Sequence, residues 1–150
     1  MKIVIQRVLE SNVKVDNVEV GAISKGMLIL VGIEAEDEES DIEWLVSKIA
    51  NLRIFDDENG VMNLNINQVN GDVLAISQFT LQASTQKGNR PSYIKAARPE
   101  LAIPLYEKFL LKLKGLLDGT LATGEFGADM KVSLVNDGPV TIIIDSKNRV

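Results

Sequence analysis

The chain of 150 residues is 45% hydrophobic and 25% charged, a size and composition typical of one globular domain, and we expect a single domain over residues 1–150. It contains neither cysteine nor histidine, which excludes disulfides, Ser-His-Asp and Cys-His catalysis and the usual zinc sites. The formal net charge of −5 argues against nucleic-acid binding by the body as a whole.

The sequence shows no membrane segment and no export signal. No apolar run approaches the ~20 residues that a membrane helix needs. In the first seven residues charge interrupts the apolar run at once, unlike a signal peptide. We therefore expect a cytoplasmic protein with no membrane partner. Any acid–base chemistry must use Asp, Glu, Lys or Tyr side chains, or groups that the substrate brings.

The first third of the chain predicts strands. Residues 2–9 alternate apolar and polar side chains. Residues 13–15 and 18–20 repeat that alternation on either side of Asp16-Asn17, a dipeptide typical of a hairpin turn. Residues 27–33 form a continuous apolar run, which suits a strand buried on both faces.

Two helices are predicted from apolar residues that recur at spacings of three and four. The first covers about residues 40–54, with Ile42, Leu45, Ile49 and Leu52 on one face. The second covers about residues 99–117, and its apolar stripe consists of Ala102, Leu105, Phe109, Leu113 and Leu116.

Further strands are predicted between and after the helices. Residues 72–80 read as a buried strand, followed by a polar surface loop over residues 82–92. Two apolar runs, 130–135 and 140–144, flank residues 136–141, where Gly138-Pro139 favours a turn, and we expect a hairpin there. The element order predicts an α+β fold with a mostly antiparallel sheet or pair of sheets.

Three polar segments, two of which contain glycine, could carry chemistry. The first ends a buried strand with Ser77, Gln78 and Thr80. A nucleophilic hydroxyl needs a nearby base, and this chain has no histidine to supply one. We therefore favour Thr80 as a positioning hydrogen-bonding group or as an ordinary strand-end residue over Thr80 as a nucleophile. In the second segment, residues 124–130, Phe126 could stack on a base or fill the core beneath the loop. The third is the Gly138-Pro139 segment.

The sequence predicts no metal site and no cofactor. Residues 56–60 have the acidic composition of a calcium loop but lack the glutamate that an EF-hand requires, and we interpret them as a solvated turn. The glycines of residues 119–127 are not followed by the Lys-Ser/Thr of a phosphate loop.

Charge is distributed unevenly along the chain. Residues 34–43 are strongly acidic, whereas no acidic residue lies between Val73 and Pro99. That acid-free stretch contains four cations: Lys87, Arg90, Lys95 and Arg98. They are either scattered surface charges or a basic face that binds phosphates on an otherwise acidic body.

Two segments carry a resemblance to a known family. Ser77-Gln78-Phe79-Thr80-Leu81 and Asn136-Asp137-Gly138-Pro139-Val140-Thr141 resemble the paired signature motifs of the D-aminoacyl-tRNA deacylases, the D-tyrosyl-tRNA deacylase family. The resemblance extends to residues 52–57, 87–91 and 124–130, and it covers nearly the whole chain in order. Residues 63–65 and 82–84 depart from the family pattern in loops.

The resemblance implies a homodimer with a barrel-like core, two main helices and active sites at the subunit interface. It implies hydrolysis of the ester of D-aminoacyl-tRNA, and of glycyl-tRNA, without a cofactor. A cis Gly138-Pro139 unit of one subunit would enter the partner's pocket and leave no room for an L side chain. The pocket would be lined by Ser77, Gln78, Phe79 and Thr80. The other implied site residues are Phe126 and Met130 near the terminal adenosine, Ala102 beside it, and Arg7, which braces the Gly-Pro unit.

The absence of histidine and cysteine fits such chemistry, because the 2′-hydroxyl of the terminal ribose can assist hydrolysis of an oriented ester. We favour this route over attack by Thr80, with backbone amides of residues 77–80 at the developing oxyanion. Two other classes stay open: a non-catalytic RNA-binding module for the acceptor stem, and a small-molecule ester hydrolase without an RNA partner.

Overall fold

The structure, a computed structural model, describes residues 1–150 as eight strands, two α-helices and one 3₁₀ turn. The first half contains β1 (Lys2–Val15), β2 (Val18–Ile23), β3 (Gly26–Gly32), α1 (Glu39–Asn51), β4 (Phe55–Asp56) and β5 (Met62–Leu64). The second half contains β6 (Asp72–Ser77), the 3₁₀ turn (Phe79–Gln82), α2 (Pro99–Leu116), β7 (Leu121–Thr123) and β8 (Met130–Asp145).

Strand β1 organises the main sheet. It pairs antiparallel with β3 through its first half, with β2 through its second half, and with β8 along its other edge. Strands β6 and β7 extend the sheet from β3 through two parallel pairings. The main sheet therefore has three antiparallel and two parallel pairings. A Cβ atom on Gly21 of β2 would lie 2.7 Å from the Thr123 carbonyl oxygen of β7. The sheet therefore curls until its ends nearly meet, and the predicted barrel-like α+β fold is confirmed.

The core lies between this sheet and the two helices. Its largest fully buried side chains include Phe55, Phe109 and Leu45, each 0% exposed. A smaller apolar cluster fills the inside of the curled sheet, with Val8, Val13, Ile23, Leu28, Leu74 and Ile76. Lys108 and Lys112 of α2 form ion pairs with Glu39 and Glu43 of α1 at 3.1 and 2.9 Å.

Both helices and the first hairpin lie close to their predicted positions. Helix α1 ends at Asn51, three residues before the predicted end, because Leu52 is already extended, with φ −66° and ψ 121°. Helix α2 buries Tyr106 in place of the predicted Leu116, which is 43% exposed. Asp16 and Asn17 both have positive φ and join β1 to β2 as an antiparallel hairpin.

The expected hairpin at residues 136–141 is wrong. Strand β8 runs without reversal from Met130 to Asp145, and both of its halves pair with β1. Val135 lies opposite Glu10 and Thr141 lies opposite Gln6, with register shifts between them. The segment is therefore a bulge in one long strand, at a place where proline has no N–H for a sheet hydrogen bond.

Candidate active site

An open pocket of about 240 Å³ lies where the parallel strands β3 and β6 end. Val31 of β3 pairs with Ser77 of β6, so the polar segment after β6 starts beside an apolar strand. Ten of the 14 lining residues are hydrophobic, and the lining includes Ser77, Gln78, Phe79, Ala102, Phe126 and Met130. Six residues that the sequence placed in the site therefore line one cavity.

The 3₁₀ turn shapes the polar wall of this pocket. The Gln78 N–H donates to the Val31 carbonyl oxygen at 2.7 Å, which anchors the segment to β3. Phe79 and Thr80 are the first residues of the turn, where N–H groups have no partner within a helical turn. The Gln78 side-chain amide donates to Thr80 Oγ1. Thr80 is half-buried beside the pocket and is not among its lining residues.

Phe126 belongs to both the core and the pocket. Its ring packs against Tyr106 with a centroid separation of 5.7 Å, and it also lines the cavity. The Tyr106 hydroxyl donates to the Ala75 carbonyl oxygen at 3.3 Å, and burial raises the pKa of Tyr106 to about 12. Tyr106 is therefore neutral at physiological pH and acts as a support beneath Phe126.

The Gly138-Pro139 segment lies apart from the pocket of its own chain. Neither Gly138, nor Pro139, nor Arg7 lines the cavity, and Gly138 and Pro139 are exposed. The Gly138-Pro139 peptide bond is cis. Gly138 has φ 132°, and a Cβ atom there would lie 2.8 Å from Val140 Cγ2 and 3.2 Å from Arg7 Nη2. This position accepts only glycine without strain.

Arg7 joins the bulge to the body of the protein. Its side chain is almost fully buried, with the residue 6% exposed. Nη1 donates to the Ile54 carbonyl oxygen at 2.7 Å and to Asp56 Oδ1 at 3.2 Å. Nε donates to the Asp137 carbonyl oxygen at 3.1 Å and lies 3.3 Å from Asp137 Oδ2. One guanidinium thus connects β1, the chain after α1 and the residue before Gly138.

The four cations of the acid-free stretch are exposed and none forms an ion pair. Lys87 and Lys95 line a common polar groove. Arg90 lies in the same loop, and Arg98 is the N-cap residue of α2.

No group of three or more Asp or Glu side chains is arranged to hold a metal ion. Neither helix combines the length and hydrophobicity that crossing a bilayer requires.

The apolar half of the pocket was not predicted from the sequence. Val31, Ile33, Ala97 and Val132 also line it. The only local signal was the apolar run of residues 27–33, and its meaning depends on the parallel pairing of β3 with β6, which joins strands far apart in the chain.

The fold and the pocket define an α+β protein whose candidate site offers backbone groups, hydroxyls and aromatic rings. Residues 4–145 match the family model described as D-Tyr-tRNA(Tyr) deacylase, and the chain belongs to this family.

Individual relatives are similar to this chain over nearly its whole length. A protein of Flavobacterium psychrophilum named D-aminoacyl-tRNA deacylase is 62% identical over 149 residues, which cover 99% of both chains. A solved structure named c-Myc DNA Unwinding Element Binding Protein is 39% identical, with a TM-score of 0.92 over 97% of this chain and 98% of that one. A second solved structure, described as a probable eukaryotic D-amino acid tRNA deacylase, has a TM-score of 0.80 at 15% identity over 95% of this chain and 97% of its own, and supports the fold.

Proposed function

We propose that this protein hydrolyses the ester bond of D-aminoacyl-tRNA and of mischarged glycyl-tRNA, releasing the free amino acid and tRNA in the cytoplasm. Family membership and the 62% identity to a protein named D-aminoacyl-tRNA deacylase support the reaction class. The observation that carries the proposal to particular residues is the single cavity that contains Ser77, Gln78, Phe79, Phe126 and Met130.

The mechanism relies on positioning. The Ser77–Thr80 segment holds the ester, and the 2′-hydroxyl of the terminal ribose assists attack by water. The Gln78 N–H is already bonded to the Val31 carbonyl oxygen and cannot serve the substrate. The amides of Phe79 and Thr80 therefore stabilise the developing oxyanion. Thr80 positions the substrate, because its hydroxyl has Gln78 as a partner and no base beside it. Phe126, Met130 and Ala102 contact the terminal adenosine.

Chirality is selected by a second subunit. In the proposed homodimer, the Gly138-Pro139 unit of each chain enters the partner's pocket, where its carbonyls meet the substrate α-amino group and its backbone excludes an L side chain. Two observations support a partner: the unit is exposed and lies outside its own pocket, and the strands around it present exposed apolar side chains. Leu9, Val135 and Ile143 are 52%, 44% and 66% exposed. Achiral glycine passes the same filter.

The cations of the acid-free stretch bind the tRNA. Lys87, Arg90, Lys95 and Arg98 are exposed, and their charge has no carboxylate partner. Phosphate contacts of this kind make binding weaker as salt concentration rises.

The test is release of tyrosine from D-tyrosyl-tRNA and from L-tyrosyl-tRNA. We expect release from the D-aminoacyl substrate alone. Binding without release would indicate an RNA-binding module, and the absence of both would leave a small-ester hydrolase.

Glycine variants test the filter separately. Gly138→Ala should abolish selective release, whereas Gly60→Ala, also at a positive φ but with open space around it, should leave it unchanged. Equal effects of the two variants would contradict the role of Gly138.

A further inference from the structure

Two exposed aromatic rings extend the pocket wall outward. Phe79 lines the cavity and is 57% exposed, and Tyr93, which lies outside the lining, is 40% exposed. The rings meet edge to face, with centroids 5.2 Å apart and planes at 71°. A pair of large aromatic side chains held open to solvent at a pocket mouth is typical of a surface that stacks on a planar ligand.

A polar groove lies on loop 83–98, which also carries Tyr93. It has a volume of about 270 Å³ and is lined by Ser84, Gln86, Lys87, Ser92, Ile94 and Lys95. It contains two lysines and no carboxylate, within a stretch that has no acidic residue between Val73 and Pro99. On a protein with a net charge of −5, this groove offers a local site for an anion.

Loop 83–98, which carries Tyr93 and the lysine groove, is held by backbone hydrogen bonds. Ser84 and Ser92 exchange N–H···O bonds of 2.8 and 2.9 Å across it. The Ala97 N–H donates to the Ile33 carbonyl oxygen at 2.9 Å, and the Ala35 N–H donates to the Lys95 carbonyl oxygen at 3.3 Å. The stacking pair and the lysine groove therefore keep a defined position relative to the pocket.

We propose that loop 83–98 binds the unpaired nucleotides that precede the terminal adenosine of the substrate. A base stacks on Tyr93 beside Phe79, and the phosphates that follow it lie in the groove between Lys87 and Lys95. The inference rests on the proposed function, because the substrate must enter the pocket with its terminal adenosine first. It assigns these lysines to the single strand, since exposed rings can stack only on unpaired bases.

Two kinds of RNA-derived substrate separate this role from catalysis. We compare D-tyrosyl-tRNA with the D-tyrosyl ester of adenosine alone, which lacks every preceding nucleotide. For Tyr93→Ala we expect KM to rise about tenfold on the tRNA, from the loss of one stacked base, with kcat unchanged. The adenosine ester should show no change in either constant. Tyr93→Phe, which keeps the ring, should restore the KM of the unmodified protein.

The lysines are tested by salt dependence. We measure binding of a short single-stranded RNA ending in CCA by fluorescence anisotropy over a range of salt concentrations. For Lys87→Met combined with Lys95→Met, the slope of log K against log salt should become shallower by about 1.4, from two lost phosphate contacts at ~0.7 each. Leu111→Ala and Lys114→Met, exposed on α2 away from the loop, are the matched controls and should change neither KM nor the slope.

The outcomes distinguish this inference from the proposed function. If the unmodified protein hydrolyses both esters but Tyr93→Ala leaves the KM for each of them unchanged, the stacking role is wrong. An equal loss on both esters would show that Tyr93 supports the pocket, and would also overturn it. If the protein hydrolyses neither ester, the proposed function fails, and the inference is then decided by RNA binding alone. Equal affinity for a polyglutamate peptide and the RNA would refute it.

Discussion

The connection made by Arg7 gives a prediction with a clear magnitude. Arg7→Met keeps a long apolar stem but removes every hydrogen bond of the guanidinium, including those to Ile54, Asp56 and Asp137. The carbonyl oxygen of Ile54, a residue only 4% exposed, loses its side-chain hydrogen-bond donor. The bulge before Gly138 loses its connection to the body of the protein.

The cost follows from burial. Removing one partner of a buried ion pair costs ~3–5 kcal/mol. The side chains of Asp56 and Asp137 are 50% and 35% exposed, so water compensates part of their loss. We therefore expect the free energy of unfolding to fall by about 3 kcal/mol. Arg7→Lys should lie between, because an ammonium cannot match the planar fork that serves three acceptors.

The assay is urea unfolding followed by the fluorescence of Trp44, the only tryptophan. Arg53→Met is the control, since Arg53 is exposed and bonds only Asn63, and its loss should cost under ~1 kcal/mol. In native buffer, the ratio of D-tyrosyl-tRNA to L-tyrosyl-tRNA hydrolysis should fall for Arg7→Met. An unfolding free energy within ~0.5 kcal/mol of the unmodified protein, or an unchanged ratio, would refute the reasoning.

Three further predictions concern catalysis, packing and pH. Thr80→Ala should slow release from D-tyrosyl-tRNA by about tenfold, whereas a substrate with a 2′-deoxy terminal ribose should not react. Loss of all activity in Thr80→Ala with intact tRNA binding would favour Thr80 as the nucleophile. Phe109→Ala, at a fully buried site in α2, should lower the free energy of unfolding by ~3–5 kcal/mol in urea melts, and a cost below ~1 kcal/mol would show that the core collapses around the gap. Burial raises the pKa of Asp41, but hydrogen bonds from Lys147 and the Glu38 N–H outweigh it and bring the pKa to about 2 from an ordinary 3.8. Because the pKa of Asp41 is lower in the folded state than in the unfolded state, the ionised carboxylate stabilises the fold above about pH 4, and this stabilisation is lost as pH falls to about 2. The effect on the free energy of unfolding is on the order of 2 kcal/mol. Asp41→Asn should remove this pH dependence from the acid side of a profile of unfolding free energy against pH.

The sequence predicted the elements that depend only on residues close together in the chain. The Asp16-Asn17 turn needs only two residues that tolerate positive φ, and the helix of residues 99–116 needs only its apolar stripe. The identity of six pocket residues followed from the family resemblance, and one cavity is lined by all six. Five of them lie in residues 77–81 and 124–130, and the sixth is Ala102 of α2.

Long-range pairing explains what sequence reasoning missed. The runs at residues 130–135 and 140–144 are both strands, as predicted, but nothing in them shows whether they pair with each other or with a third strand. A turn composition between them favoured the hairpin, and pairing of both with β1 made it a bulge. The family resemblance named Arg7 as the brace of the Gly-Pro unit, and Arg7 donates a hydrogen bond to Asp137, the residue before Gly138. The contact of Arg7 with Ile54, which joins distant parts of the chain, left no signal in the local sequence.

The pairing of β1 with β8 has a consequence for how the protein is made. Lys2 meets Asp145, and Val15 meets Met130, so the partners are more than a hundred positions apart. During translation β1 leaves the ribosome early and one of its edges has no partner until the last strand has been synthesised. Such late, non-local closure slows folding and leaves an apolar strand edge open to other nascent chains. We therefore expect truncation within residues 130–145 to yield an aggregating chain.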